Sequence, residues 1–66
     1  MKLDRKKVRV AMAERGINQK QLAGLAEIES ATLSCIMTGK SGGRPETWDK
    51  ISRALGIPTL DILETN

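Results

Sequence analysis

Histidine, tyrosine and phenylalanine are absent from this sequence, and cysteine and tryptophan occur once each, as Cys35 and Trp48. Without histidine and with one thiol, neither a Cys/His zinc site nor an intrachain disulfide can be assembled. A lone unpaired thiol fits a reducing cytoplasm. One aromatic ring provides no row of platforms for stacking single-stranded bases, which argues against an RNA-recognition sheet or an oligonucleotide-binding barrel. No apolar run approaches the roughly 20 residues of a membrane span, and the polar start does not read as a signal peptide. The expectation is therefore a soluble, cytoplasmic chain. Catalysis also lacks its usual parts: Ser34 has no His or Lys base at helical spacing, and no acid pair marks a cleft. No enzyme activity, metal or cofactor is expected.

What remains is a short basic chain. Its 66 residues, 39% hydrophobic, fit a single domain (1–66) near the lower limit for folding on one core. The net charge of +3 favours an anionic partner. The segment 4–15 contains good helix formers and no Gly or Pro, with Val8, Ala11 and Met12 on one face, and Gly16 stops it. Asn18 with Gln21 three residues later predicts a capping box opening a short helix over 19–26, buried through Leu22, Ala23 and Ala26. A third helix over 30–38 turns Leu33, Ile36 and Met37 inward and ends at Gly39. The stretch Lys40 to Gly43 reads as a flexible loop. Pro45 then starts a fourth helix over 45–55, with Trp48, Ile51, Ala54 and Leu55 inward and Gly56 at its end. A last helix over 59–64 is expected, anchored by Leu60 and Leu63. No segment alternates with period two, so the fold class is all-α, with five short helices.

Two short helices joined by only a few residues must cross steeply, leaving one of them projecting from the body. The spacing from Gln19 through Leu22-Ala23 and Ile28 to Leu33 and Ile36 has this form, with the small Ala23 at the crossing and Ile28 plugging the turn. The run from Arg15 to Ala23 (RGINQKQLA) is followed by Leu33, Ile36 and Gly39-Lys40. Next come Pro45 to Ile51 (PETWDKI) and Ala54 to Ile57 (ALGI). This ordered set resembles the lambda-repressor-like, or Cro/C1-type (XRE family), helix-turn-helix domains across nearly the whole chain.

The resemblance implies a sequence-specific transcriptional regulator, of the repressor kind and of bacterial or phage origin. It would read double-stranded DNA in the major groove with its third helix, as a homodimer. It places Ser30, Ala31, Ser34 and Cys35 on the base-reading face. It assigns Gln19, Lys40, Gly43, Arg44 and Thr47 to the DNA backbone, with free amides at the fourth helix's N-terminus meeting a phosphate. Leu60 and Ile62 become candidates for the dimer contact. The chain departs from the family in two places. Glu27 occupies the turn position usually held by glycine, and Glu29 the position of a Ser or Thr cap. Neither acid favours a phosphate, and we read Glu29 as repulsive or as helix-dipole stabilisation, rather than as a cytosine acceptor. The reading face carries no Arg, Asn or Gln for bidentate base contacts.

Members of the family often join the first and third helices with a buried Arg–Glu pair. Met12 and Met37 stand at the matching positions, so the resemblance implies a thioether contact in the core. The basic cluster Lys2, Arg5, Lys6, Lys7 and Arg9 is read as a solvated helix face rather than as an arm embracing DNA. Cys35 is read as a small tolerated residue, not a redox switch. The competing function is a helix-turn-helix-derived protein-interaction module, or an antitoxin-like partner-binding protein with weak DNA specificity. The position of positive charge around the third helix discriminates between them.

Overall fold

The computed structural model describes residues 2–64. Four α-helices, α1 (Arg5–Arg15), α2 (Gln19–Ala26), α3 (Ser30–Thr38) and α4 (Pro45–Leu55), precede a single 3-10 turn at Thr59–Ile62. Each boundary has a local cause. The Asp4 carboxylate accepts the amides of Lys6 at 3.0 Å and Lys7 at 3.4 Å, so Asp4 caps α1 from outside instead of opening it. Ahead of α2, Asn18 Oδ1 accepts the Gln21 amide at 2.7 Å and Gln21 Oε1 accepts the Asn18 amide at 2.9 Å. The capping box is thus formed as expected. At the end of α2, Glu27 adopts a left-handed φ of 57°, and Ile28 N–H returns to the Ala23 carbonyl at 3.0 Å. The tight turn survives without glycine, with the strain held on one exposed residue.

The core forms where all the elements converge. Val8 of α1, Leu22 of α2, Leu33 and Ile36 of α3, Ile51 and Leu55 of α4, and Ile62 are fully buried. α2 packs on both α3 and α4, and α1 on α4 and the 3-10 turn. Ile17 and Ile28 cover the edges of this cluster from the two connecting turns. The one buried polar side chain among the described residues, Ser52, donates to the Asp49 carbonyl at 2.9 Å and lies 3.0 Å from Thr59 Oγ1. This joins α4 to the last turn without leaving a polar group unpaired.

The C-terminal segment corrects the sequence reading. The fifth helix expected over 59–64 is a four-residue 3-10 turn; Leu63 is extended at φ −100° and ψ 152°, and Glu64 lies outside the turn. The reason is a partner at the other end of the chain. Leu3 and Leu63 form an isolated antiparallel bridge, Asp4 N–H donates to the Ile62 carbonyl at 2.7 Å, and Glu64 N–H to the Lys2 carbonyl at 2.8 Å. These bonds satisfy the backbone better than one more fraying turn would. Leu60, expected as an anchor, is 69% exposed, while Ile62 is fully buried and so unavailable for a dimer contact. Leu63 does anchor the segment.

Glu27→Gly should stabilise the fold by roughly 0.5–1 kcal/mol, the relief of left-handed strain exceeding glycine's added chain entropy. Chemical denaturation measures this directly. Met12 and Met37 are both buried in the one core cluster, and Arg9 Nη2 donates to the Met37 carbonyl at 3.4 Å. Met37→Glu should cost on the order of 3 kcal/mol, held to the low end by the nearby Arg9, and Met12→Arg should recover much of it. Additive effects in the double mutant would refute coupling between the two positions.

Candidate nucleic-acid interface

Three parts of the chain converge on α3. The first is its own outward face. Ser30 and Ala31 are exposed and Ser34 and Cys35 half-buried, while Leu33, Ile36 and Met37 point into the core. With 100° between successive residues, Thr38 joins the same face; it is exposed, and its hydroxyl donates to the Ser34 carbonyl at 2.9 Å. The sequence reading treated Thr38 only as a helix end, although its i+4 spacing from Ser34 marks the alignment. The face is shallow and small-chained, shaped for close approach more than for long-range hydrogen bonding.

The second part lies at the N-terminal ends of α2 and α3. Gln19 is half-buried at the start of α2. Glu29 caps α3 in an extended conformation, and its side chain makes no capping bond. Glu27 and Glu29 are both exposed, so the N-terminal end of α3 carries negative charge.

The third part is the connection between α3 and α4, which brings Lys40, Gly43, Arg44 and Thr47 together. The Cys35 carbonyl accepts the amides of Lys40 at 3.0 Å and Ser41 at 3.2 Å, winding the chain tightly off the helix. Trp48 Nε1 then donates to the Gly42 carbonyl at 2.8 Å. Gly43 has a φ of 73°, and a Cβ there would lie 3.1 Å from both Ile36 Cδ1 and Trp48 Nε1. The loop, expected to be flexible, is thus pinned between Ile36 on the inward side of α3 and the only aromatic ring. Lys40 and Arg44 are exposed. Among the described residues the one ion pair is Arg53–Asp49 at 3.1 Å, so neither cation is neutralised within the protein.

The α4 N-terminus provides less than expected. Pro45 has no amide proton, and the Thr47 and Trp48 amides turn back onto the Arg44 carbonyl at 2.9 and 3.0 Å. Only Glu46 in the first turn retains an amide without a backbone partner among the described residues, and its own carboxylate stands there. The positive charge offered at this point is therefore that of the Lys40 and Arg44 side chains.

Of the basic cluster, Lys2, Arg5, Lys6 and Arg9 are exposed, as the sequence predicts, and Lys7 is half-buried, but several of these side chains also lie over other elements. Arg9 reaches the Met37 carbonyl, the Lys7 ammonium donates to the Leu63 carbonyl at 2.9 Å, and the Arg5 guanidinium lies over Gly39. Charge is therefore polarised along α3, acidic at its N-terminal end and basic at its C-terminal end, in the sense that the helix dipole favours. Glu27, Glu29, Lys40 and Arg44 are legible beside α3 in the sequence, but the share of Arg5 and Arg9 is not, because α1 is distant in the chain, as Arg9 and Met37 show with a separation of 28.

This geometry belongs to a helix-turn-helix domain. A family model of the Cro/C1-type helix-turn-helix DNA-binding domain matches residues 7–66, and the chain belongs to that family. A search of curated proteins finds no match.

Gly43→Ala tests the pinned loop. Left-handed strain and the contacts with Ile36 and Trp48 should together destabilise the fold by roughly 1–2 kcal/mol. The emission of Trp48, the sole aromatic, should shift as the indole loses its bond to Gly42. Unchanged stability and emission would show that the loop is not held by this packing.

Proposed function

We propose that this protein is a sequence-reading transcriptional regulator that represses by occupying DNA, with α3 in the major groove. The supporting observation is the exposed α3 face flanked by the un-neutralised cations Lys40 and Arg44. Ser30, Ala31, Ser34 and Cys35 act at the base edges; Gln19, Lys40, Gly43, Arg44 and Thr47 act at the backbone. Small side chains offer contacts to thymine methyl groups and close approach rather than bidentate pairs, so Gln19, bridging water and DNA shape carry much of the discrimination. The setting is the cytoplasm of a bacterium or of a phage-infected cell.

The active form in this proposal is a homodimer on a two-fold operator. Val10 at 57% exposure and Leu60 at 69% border one shallow recess with Ile57, rimmed by Lys7, Arg15, Glu14 and Asp61. Cations and anions on the same patch suit pairing with an identical patch about a two-fold axis. A second reading rests on Leu25, 59% exposed, which borders a recess with Glu27, Glu46 and Asp49. In that reading the domain docks a partner protein, and α3 contributes little sequence preference.

Random-site selection with the purified chain, followed by salt titration of the best duplex, decides between them. An enriched site supports the regulator; no enrichment and no salt-dependent binding leaves the docking module. Replacing Lys40 and Arg44 together with Ala should weaken binding to all sequences alike and flatten the log–log salt slope by roughly 1.8, about 0.9 per phosphate contact. Ser34→Arg should instead change the selected sequence and leave stability within about 0.5 kcal/mol.

A further inference from the structure

The first turn of α1 carries an arginine with no hydrogen-bond or ion-pair partner among the described residues. Arg5 is exposed, and its guanidinium lies so close over Gly39 that a Cβ there would collide with Nη1 and stand 3.2 Å from Cζ. No hydrogen bond or ion pair engages it among the described residues. It does not cap α3: three of the last four carbonyls there already have donors, and Arg5 makes no bond to the fourth, that of Thr38. The Cys35 carbonyl takes Lys40 and Ser41, the Ile36 carbonyl takes Gly39, and the Met37 carbonyl takes Arg9.

The surroundings indicate what its N–H groups meet. Lys2, Arg5, Gly39, Ser41 and Gly42 border a single open recess, and Lys40 follows Gly39 directly. Lys2 and Arg5 therefore supply the cations of this recess, which reaches the α3–α4 loop at Gly39, Ser41 and Gly42, next in the chain to the exposed Lys40. Lys2 is held there by its carbonyl, which accepts the Glu64 amide at 2.8 Å. The same bond brings Glu64, the one acid of the recess, to its rim. A planar guanidinium with free donors beside an ammonium suits the oxygens of a phosphodiester.

We propose that Lys2 and Arg5 form a second phosphate-binding strip, extending the DNA contact beyond the helix-turn-helix on the α1 side of the α3–α4 loop, and that Glu64 weakens that grip. The proposal rests on the DNA-binding reading above. It is independent of base recognition, since phosphate contacts act on every sequence.

The test uses the full chain and a short fluorescein-labelled duplex of mixed sequence, with anisotropy followed over a range of salt concentrations. Arg5→Gln and Lys2→Gln should each lower the magnitude of the log–log salt slope by about 0.9. Arg5→Lys should retain the slope, because the charge remains. Glu64→Gln should tighten binding several-fold at low salt. Thermal melts of each variant report folding separately. A lower melting temperature for Arg5→Gln with an unchanged slope would make Arg5 a purely structural residue and overturn the proposal. If Arg5→Gln does not fold, Lys2→Gln and Glu64→Gln decide it, and no change in either refutes the strip. A parent chain that binds no duplex refutes the DNA reading itself. A parent that binds while all three charge-removing variants match it refutes only the strip.

Discussion

The indole of Trp48 lies at a junction on which the geometry of the surface depends. Its ring is buried on α4, its N–H holds the Gly42 carbonyl, and its Nε1 would stand only 3.1 Å from a Cβ at Gly43. Ile36, on the inward side of α3, closes the same contact. One aromatic residue thus holds the path of the loop that leaves α3, while α3 itself packs on α2. This contact, with the Lys40 and Ser41 amides on the Cys35 carbonyl, ties the cations of the loop to the end of α3. In a domain with so small a core, a surface of fixed geometry needs such a support.

Electrostatics then act through placement more than through total charge. A net charge of +3 on 66 residues is modest. The acids Glu27 and Glu29 gather at one end of α3, and Lys40, Arg44, Arg5 and Arg9 near the other. The single ion pair, Arg53–Asp49, is exposed and lies on α4, where such a pair contributes at most a few tenths of a kcal/mol. The cations beside α3 thus remain available to an external anion. The same polarity explains how the family framework accommodates two acids near α3: at a helix N-terminus they favour the dipole, and they cost something only against a phosphate.

The substitution of methionine at positions 12 and 37 fits this division. A buried ion pair fixes orientation at a desolvation cost, whereas Met12 and Met37, both buried in the core, carry no charge to desolvate. Helix α1 is then positioned by other means. Arg9 reaches the Met37 carbonyl, Lys7 the Leu63 carbonyl, and the Leu3–Leu63 bridge joins the two ends of the chain. Polar contacts at the rim replace a polar contact in the core.

What the sequence by itself determined were the features with local causes. The capping box at Asn18 and Gln21, the glycine stops at 16, 39 and 56, and Pro45 at the start of α4 each act within one helical turn. The inward stripes of the four helices follow from the 3.6-residue period, which also put Ser30, Ala31, Ser34 and Cys35 outward. Tertiary structure decided whatever depended on distant partners. Leu60 and Leu63 look alike in a short apolar pattern, yet one is exposed and the other bridges to Leu3, sixty positions away. That pairing ended the expected fifth helix after one 3-10 turn and buried Ile62. Lysines and arginines in α1 read alike in the sequence, and only packing set Lys7 on Leu63, Arg9 on Met37 and Arg5 over Gly39. Local pattern fixes which face of a helix is apolar; which cation meets which carbonyl depends on where the helices dock, and that is a property of the whole core.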